Sequence, residues 1–161
     1  MATSSGAERR ETDSVIAYWE GKQAASSSGA AVRPLALDLG AMRGDAWLHR
    51  FLIALAPSDE DAALLRYGAN FARLFEIPPG SEPPLPVRQW LPDRLREVFL
   101  GGCRQAIENG RPVRLQRIVQ RGDGQREMFR CCFIPLSPPE GSPARFVLGA
   151  YNSRLADPPR R

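Results

Sequence analysis

WLHRFLIALAPSDEDAALLRYGANFARLFEI, residues 47–77, decides the fold class of this chain. Trp47, His49, Phe51, Ile53 and Leu55 recur at every second position, the period of a β-strand with one apolar face. A first strand is therefore expected over 47–56, stopping at Pro57, and SDEDA (58–62) follows as a polar turn or loop. A second, short strand is expected over 63–68. Phe71, Leu74 and Phe75 then fall at helical spacing, which predicts one or two helical turns over 69–77. They stop before Pro78 and Pro79, because proline disfavours helix in the residue preceding it. EIPPGSEPPLP (76–86) reads as a Pro-rich surface loop.

Beyond this stretch a long helix is expected over 92–109. Pro92 and Asp93 suit a first turn. Leu95, Val98, Phe99, Cys103, Ala106 and Ile107 share one face, and Asn109–Gly110 is a stop that tolerates a left-handed backbone. Gly101–Gly102 inside it either weakens the helix or marks close packing against another backbone. Three strands follow, over 112–120, 125–136 and 145–152. Gly122–Asp123–Gly124 joins the first two as a hairpin, and Pro138, Pro139, Gly141 and Pro143 mark the next connection. In 125–136 the alternation puts Phe129, Cys131 and Phe133 on one face, and Met128, Arg130, Cys132, Ile134 and Leu136 on the other. In 145–152 Phe146 and Leu148 oppose Val147 and Tyr151. Both faces are partly apolar, so both require cover. The domain's own helices cover one. The other is left to an N-terminal helix bearing Trp19, to a partner subunit, or to both.

Towards the N-terminus, residues 1–11 are small, polar and charged and read as a disordered tail. A helix starts at Thr12 or Asp13, both good N-caps, and carries Val15, Ile16 and Trp19 as a stripe. It fades into the linker AASSSGAA, so 12–31 is helix plus linker. Residues 35–46, with Leu35, Leu37, Leu39 and Met42, are either a short strand or an irregular lead-in. The domain spans 32–154 and 155–161 is a C-terminal tail.

The 161 residues, 43% hydrophobic and 25% charged, suit one globular domain. The net charge is +4. Its arginines are interleaved with acids rather than gathered on one face, which speaks against nucleic-acid binding. No apolar run is long enough to span a membrane, and no apolar segment follows the N-terminal charges; a cytoplasmic protein is expected. Cys103, Cys131 and Cys132 are odd in number and lack metal-ligand spacing, so they read as buried free thiols, with no metal site.

Several short motifs, in order, resemble those of bacterial single-domain PAS-like proteins of the alphaproteobacterial type. They are Tyr18–Trp19 in the N-terminal helix; Trp47, His49, Arg50 and Phe51; Tyr67, Gly68, Phe71, Ala72 and Leu74; Pro112–Val113; Arg130, Phe133, Pro135 and Leu136; and Gly149, Asn152 and Arg154. The resemblance covers about 12–154. It implies an α+β fold, a five-stranded antiparallel sheet flanked by helices, with an N-terminal helical extension. It further implies a sensory or adaptor module that dimerises and binds a signalling partner or a small ligand. With no room for an output module, such a chain would signal in trans. The alternative is a small-ligand binding protein without a signalling role.

The candidate site residues follow from the same reading. Trp47, His49, Tyr67, Phe71, Phe75 and Phe99 line a pocket between sheet and helices or form solid core. Arg50, Arg66, Arg117 and Arg130, each in a strand and the last two interrupting an apolar face, are its candidate polar groups for an anionic ligand; the competing reading gives them salt bridges to Glu127, Asp93 or Glu97, or exposure at a sheet edge. Tyr18, Trp19, Val147 and Tyr151 are the candidate homodimer interface. His49 is the only histidine, weighed as a haem ligand against a core residue and read as the latter. With no second acid/base group near it and no G-x-S-x-G elbow, a non-enzymatic protein is expected. Gly102–Cys103–Arg104 is similar to the flavin-reactive cysteine motif of light-sensing PAS domains, but it lacks the preceding Asn and the following Phe-Leu-Gln. Cys103 is therefore read as core, and the residues name no cofactor.

Overall fold

The computed structural model describes residues 12–21, 47–56, 62–136 and 145–156. The expected tail at 1–11, the linker and lead-in through 46, the SDEDA turn up to Asp61, the Pro-rich connection at 137–144 and the end of the C-terminal tail lie outside the described residues.

The chain begins with helix α1 (12–21). Strands β1 (Arg50–Leu55) and β2 (Ala63–Tyr67) follow, then α2 (Ala69–Leu74), β3 (Leu85–Pro86) and α3 (Val87–Trp90). The long helix α4 (Asp93–Asn109) precedes β4 (Val113–Gln120), β5 (Arg126–Leu136) and β6 (Arg145–Leu155). The six strands form one sheet in the order β3-β2-β1-β6-β5-β4, with every neighbouring pair antiparallel. This is the expected α+β architecture of an antiparallel sheet flanked by helices. It has a sixth strand, because Leu85 and Pro86 of the Pro-rich loop pair with Leu64 and Ala63. Proline is tolerated there because β3 is an edge strand and needs no further ladder donor. The short helix α3 was also not expected; it carries Trp90 into the core.

The first strand starts at Arg50, not at Trp47. Residues 47–49 form a turn, against which the Gly68 region packs. Gly68 N–H donates to the Arg50 carbonyl, and Phe71 N–H to that of Leu48, both at 3.0 Å. A Cβ on Gly68 would collide with the Trp47 carbonyl, so only glycine lets the chain pass this close. The helix α4 starts one residue after the predicted 92, with Pro92 as its N-cap, and stops as predicted at Asn109, capped by Gly110 in the left-handed region at φ 62°. Its interior Gly102 marks close packing, against the Phe133 ring rather than a backbone.

The sheet carries apolar layers on both faces. The larger lies between the sheet and α2, α3 and α4, and includes Phe51, Phe71, Trp90, Phe99, Phe133 and Tyr151. The smaller lies under α1 and joins Val15 and Ile16 to Leu52, Ile134 and Leu148. Of the covers expected for this second face, α1 is one. The Trp19 indole Nε1 donates to the Pro135 carbonyl at 3.3 Å, and Arg50 Nη2 donates to Ser14 Oγ at 3.1 Å.

Candidate functional site

Four of the expected pocket residues, Tyr67, Phe71, Phe75 and Phe99, meet on the larger-core side of the sheet. What they form is a packed aromatic cluster. Phe71 lies 4.6 Å from Phe75, 5.2 Å from Phe51 and 5.5 Å from Trp90, centroid to centroid. Phe75 and Tyr151 are 4.7 Å apart, and Phe51 and Phe99 4.9 Å. Such separations are those of rings in contact.

The other four candidates do not join them. Trp47 belongs to the smaller cluster, with the Arg66 guanidinium 4.5 Å over its ring. It crosses to that face because the turn at 47–49 breaks the strand alternation. His49 is half-buried, its Nε2 3.2 Å from Asn70 Nδ2. Arg117 is in register with Phe129 but exposed on the edge strand β4. Arg130 lies on the opposite face, its Nε donating to Gln116 Oε1 at 3.0 Å. The two arginines are therefore not groups of one buried site, because period-two geometry sends positions 117 and 130 to opposite sides of paired strands.

The sheet holds two buried charges among the described residues, Arg50 on β1 and Glu127 on the core side of β5. Arg94 Nη2, from the first turn of α4, donates to Glu127 Oε2 at 2.9 Å, and the Tyr151 hydroxyl donates to Oε1 at 3.1 Å. Burial pushes the Glu127 carboxyl up, but hydrogen bonds from Arg94, Ser153 and Tyr151 and the charge of Arg94 more than offset it, so the net shift is downward. The same burial, reinforced by the Glu127 charge, pushes the Tyr151 phenol up. A cleft of about 270 Å³ opens beside this network, lined by Arg73, Arg94, Arg121, Glu127 and Ser153 among others. From the sequence, Glu127 is expected only as a partner for strand arginines. The available signal was its in-facing position two residues before Phe129, which demands a cation from the covering helix.

The expected dimer interface is corrected in half of its members. Val147 and Tyr151 are 0% and 2% exposed inside the larger core and cannot meet a second copy. On β6 it is Phe146, Leu148 and Ala150 that face α1, the opposite phase of the alternation. Tyr18 and Trp19 are half-buried against that layer.

All three cysteines are buried and free. Burial, with the neighbouring Cys131 as a smaller contribution, pushes the Cys103 thiol well above its ordinary value. Burial and then Cys132 do the same to Cys131. Because the thiolate is the reactive species, iodoacetamide near neutral pH is expected to leave Cys103, Cys131 and Cys132 unlabelled in the native protein and to label all three in denaturant. Labelling of any one in the native state, read by intact mass, would contradict this packing.

Apart from the added edge strand β3, the order of two strands, short helices, a long helix and three strands is the one the sequence predicts, and the sheet places β1 beside β6. The fold is PAS-like. No family model and no curated protein matches the chain. Among solved structures, the chain is similar to a domain of an HTR-like protein from Haloarcula marismortui, at 15% identity and a TM-score of 0.45, over 67% of this chain and 98% of that one. It is also similar to the PAS domain of a protein from Colwellia psychrerythraea, at 13% identity and a TM-score of 0.43, over 64% and 84%. The LOV domain of a blue-light activated histidine kinase from Erythrobacter litoralis gives 17% identity and a TM-score of 0.43, over 66% and 96%. Among the described residues, no helix is long and apolar enough to cross a membrane, and no group of three His, Cys, Asp or Glu side chains could hold a metal ion.

Proposed function

We infer that this PAS-like chain is a non-enzymatic sensory or adaptor module that acts by contacting a signalling protein. The observation that carries the reading is the division of the sheet. One face is closed by α2, α3 and α4 over interlocked aromatic rings, while the other is apolar under α1, and β4 at the sheet edge is largely exposed. A filled interior favours communication through a surface over enclosure of a large cofactor. The PAS-like element order supports the same reading. A change in the packing of α1 or of the helices against the sheet would shift the population of surfaces presented to the partner.

The reading is tested by native mass spectrometry of the full chain purified from its native cells. The expected species is a defined complex with another protein, in which this chain carries no small molecule. A chain that retains one small molecule per copy and no protein would overturn the reading, in favour of a ligand-binding protein without a signalling role.

A further inference from the structure

Among the described residues, β3 and β4 are the two edges of the sheet. β3 is two residues long and ends in a proline, so it offers little to a further strand. β4 is different. It pairs with β5 in one uninterrupted register, from Val113 opposite Phe133 to Gln120 opposite Arg126, and it contains no proline.

The hairpin fixes which backbone groups of β4 point outward. Arg121 N–H donates to the Gln125 carbonyl at 2.8 Å, and bonded positions alternate along an antiparallel pair. The odd positions from 113 to 119 therefore bond to β5, whereas Arg114, Gln116, Ile118 and Gln120 turn their N–H and C=O groups to the open edge. The Arg126 carbonyl agrees with this phase, since it accepts on the β6 side, from Ala156 N–H at 2.7 Å.

One of the outward groups is already taken. Arg117 Nη1 donates to the Gln116 carbonyl at 3.0 Å. Arg117 shares the helix-covered face with Phe129 and stands between the half-buried Leu115 and Val119, yet it is exposed. A charged side chain on the inner face of an edge strand is one of the means by which proteins keep such edges from pairing. The rest of β4 favours pairing: Val113, Leu115, Ile118 and Val119 are good strand formers, Ile118 remains 50% exposed, and the strand holds no Asp or Glu.

We propose that Arg117 guards this edge, closing the Gln116 carbonyl and holding β4 apart from the β4 of a second copy. Two copies joined antiparallel about a two-fold axis, with their helices on one side of a continuous sheet, overlap best in two registers. One sets Arg117 opposite its own counterpart. The other sets it opposite Leu115, with the two arginines on neighbouring diagonal positions. Both bring like charges together on one face with no carboxylate of β4 to separate them. The guard acts whether or not the chain meets a signalling protein.

Amide hydrogen exchange, followed by NMR on the full chain at low and high concentration, tests this. In the wild type the amides of Gln116 and Ile118 are expected to exchange fast at both concentrations. Arg117→Val should raise their protection about tenfold or more at the higher concentration, because it removes the facing charges and adds a β-branched residue. Arg117→Thr, uncharged but polar, should act in the same direction and serves if Arg117→Val precipitates. Arg117→Lys should behave as the wild type. Ile118→Pro added to Arg117→Val deletes an outward N–H that β5 does not use and should return Gln116 to fast exchange. Protected Gln116 and Ile118 amides in the wild type would overturn the proposal, because the edge would already be paired. Fast exchange in both uncharged variants would also overturn it, as would protection that survives Ile118→Pro or does not rise with concentration.

Discussion

Replacing Phe71 with alanine is expected to destabilise the protein by about 3–5 kcal/mol, the range for truncating a fully buried phenylalanine. Phe71 is 0% exposed, and its ring contacts those of Phe51, Tyr67, Phe75, Trp90 and Tyr151. These neighbours come from β1, β2, α3, β6 and the end of α2, so the site cannot collapse without moving several elements at once. The transfer loss and the residual cavity therefore add. Urea denaturation of the two proteins measures the difference. A loss below about 1 kcal/mol would show that the rings line a space already open, and would return Phe71, Phe75 and Phe99 to the pocket reading.

Arg94→Ala is expected to cost about 2 kcal/mol near neutral pH. Removing one member of a buried ion pair leaves a desolvated charge behind. Here the Arg94 side chain is 33% exposed and that of Glu127 only 7%, so solvent screening discounts the loss expected for a fully buried pair. The Glu127 carboxyl is lowered from its ordinary 4.5 in the folded protein. Its stabilisation is therefore complete above that value and is lost as the pH falls through the folded value. Without Arg94, burial is no longer fully offset and the carboxyl rises. The stability gap between wild type and Arg94→Ala should then narrow as the pH drops below about 4.5. A gap that is constant with pH would mean that Arg94 acts by packing alone. Combining Arg94→Ala with Glu127→Gln should recover part of the loss, because the uncompensated charge is gone.

Features whose physics is local were legible in the sequence. The ends of α4 follow from a proline-bounded first turn and a glycine able to adopt φ > 0. The β4–β5 turn follows from Gly122–Asp123–Gly124, where Gln125 N–H donates to Asp123 Oδ1 at 3.0 Å. The split of β5 into a Phe129–Cys131–Phe133 face and a Cys132–Ile134–Leu136 face follows from the pleat.

Tertiary structure alone decided which apolar face turned inward and which buried charge met which. In β6 both phases of the alternation are apolar, so period two could not say whether Val147 and Tyr151 or Phe146 and Leu148 would meet the aromatic core. The docking of α4 on one side and of α1 on the other settled it. Trp47 left the strand pattern because the chain at Gly68 comes back against it, a contact 21 residues away in sequence and set by backbone hydrogen bonds. Arg94 and Glu127 are 33 residues apart, on a helix and a strand whose side chains meet only once α4 lies across β5. Composition and spacing specify which segments become helix or strand. The pairing of distant charges and the choice between two apolar faces depend on how those segments pack, which no local pattern encodes.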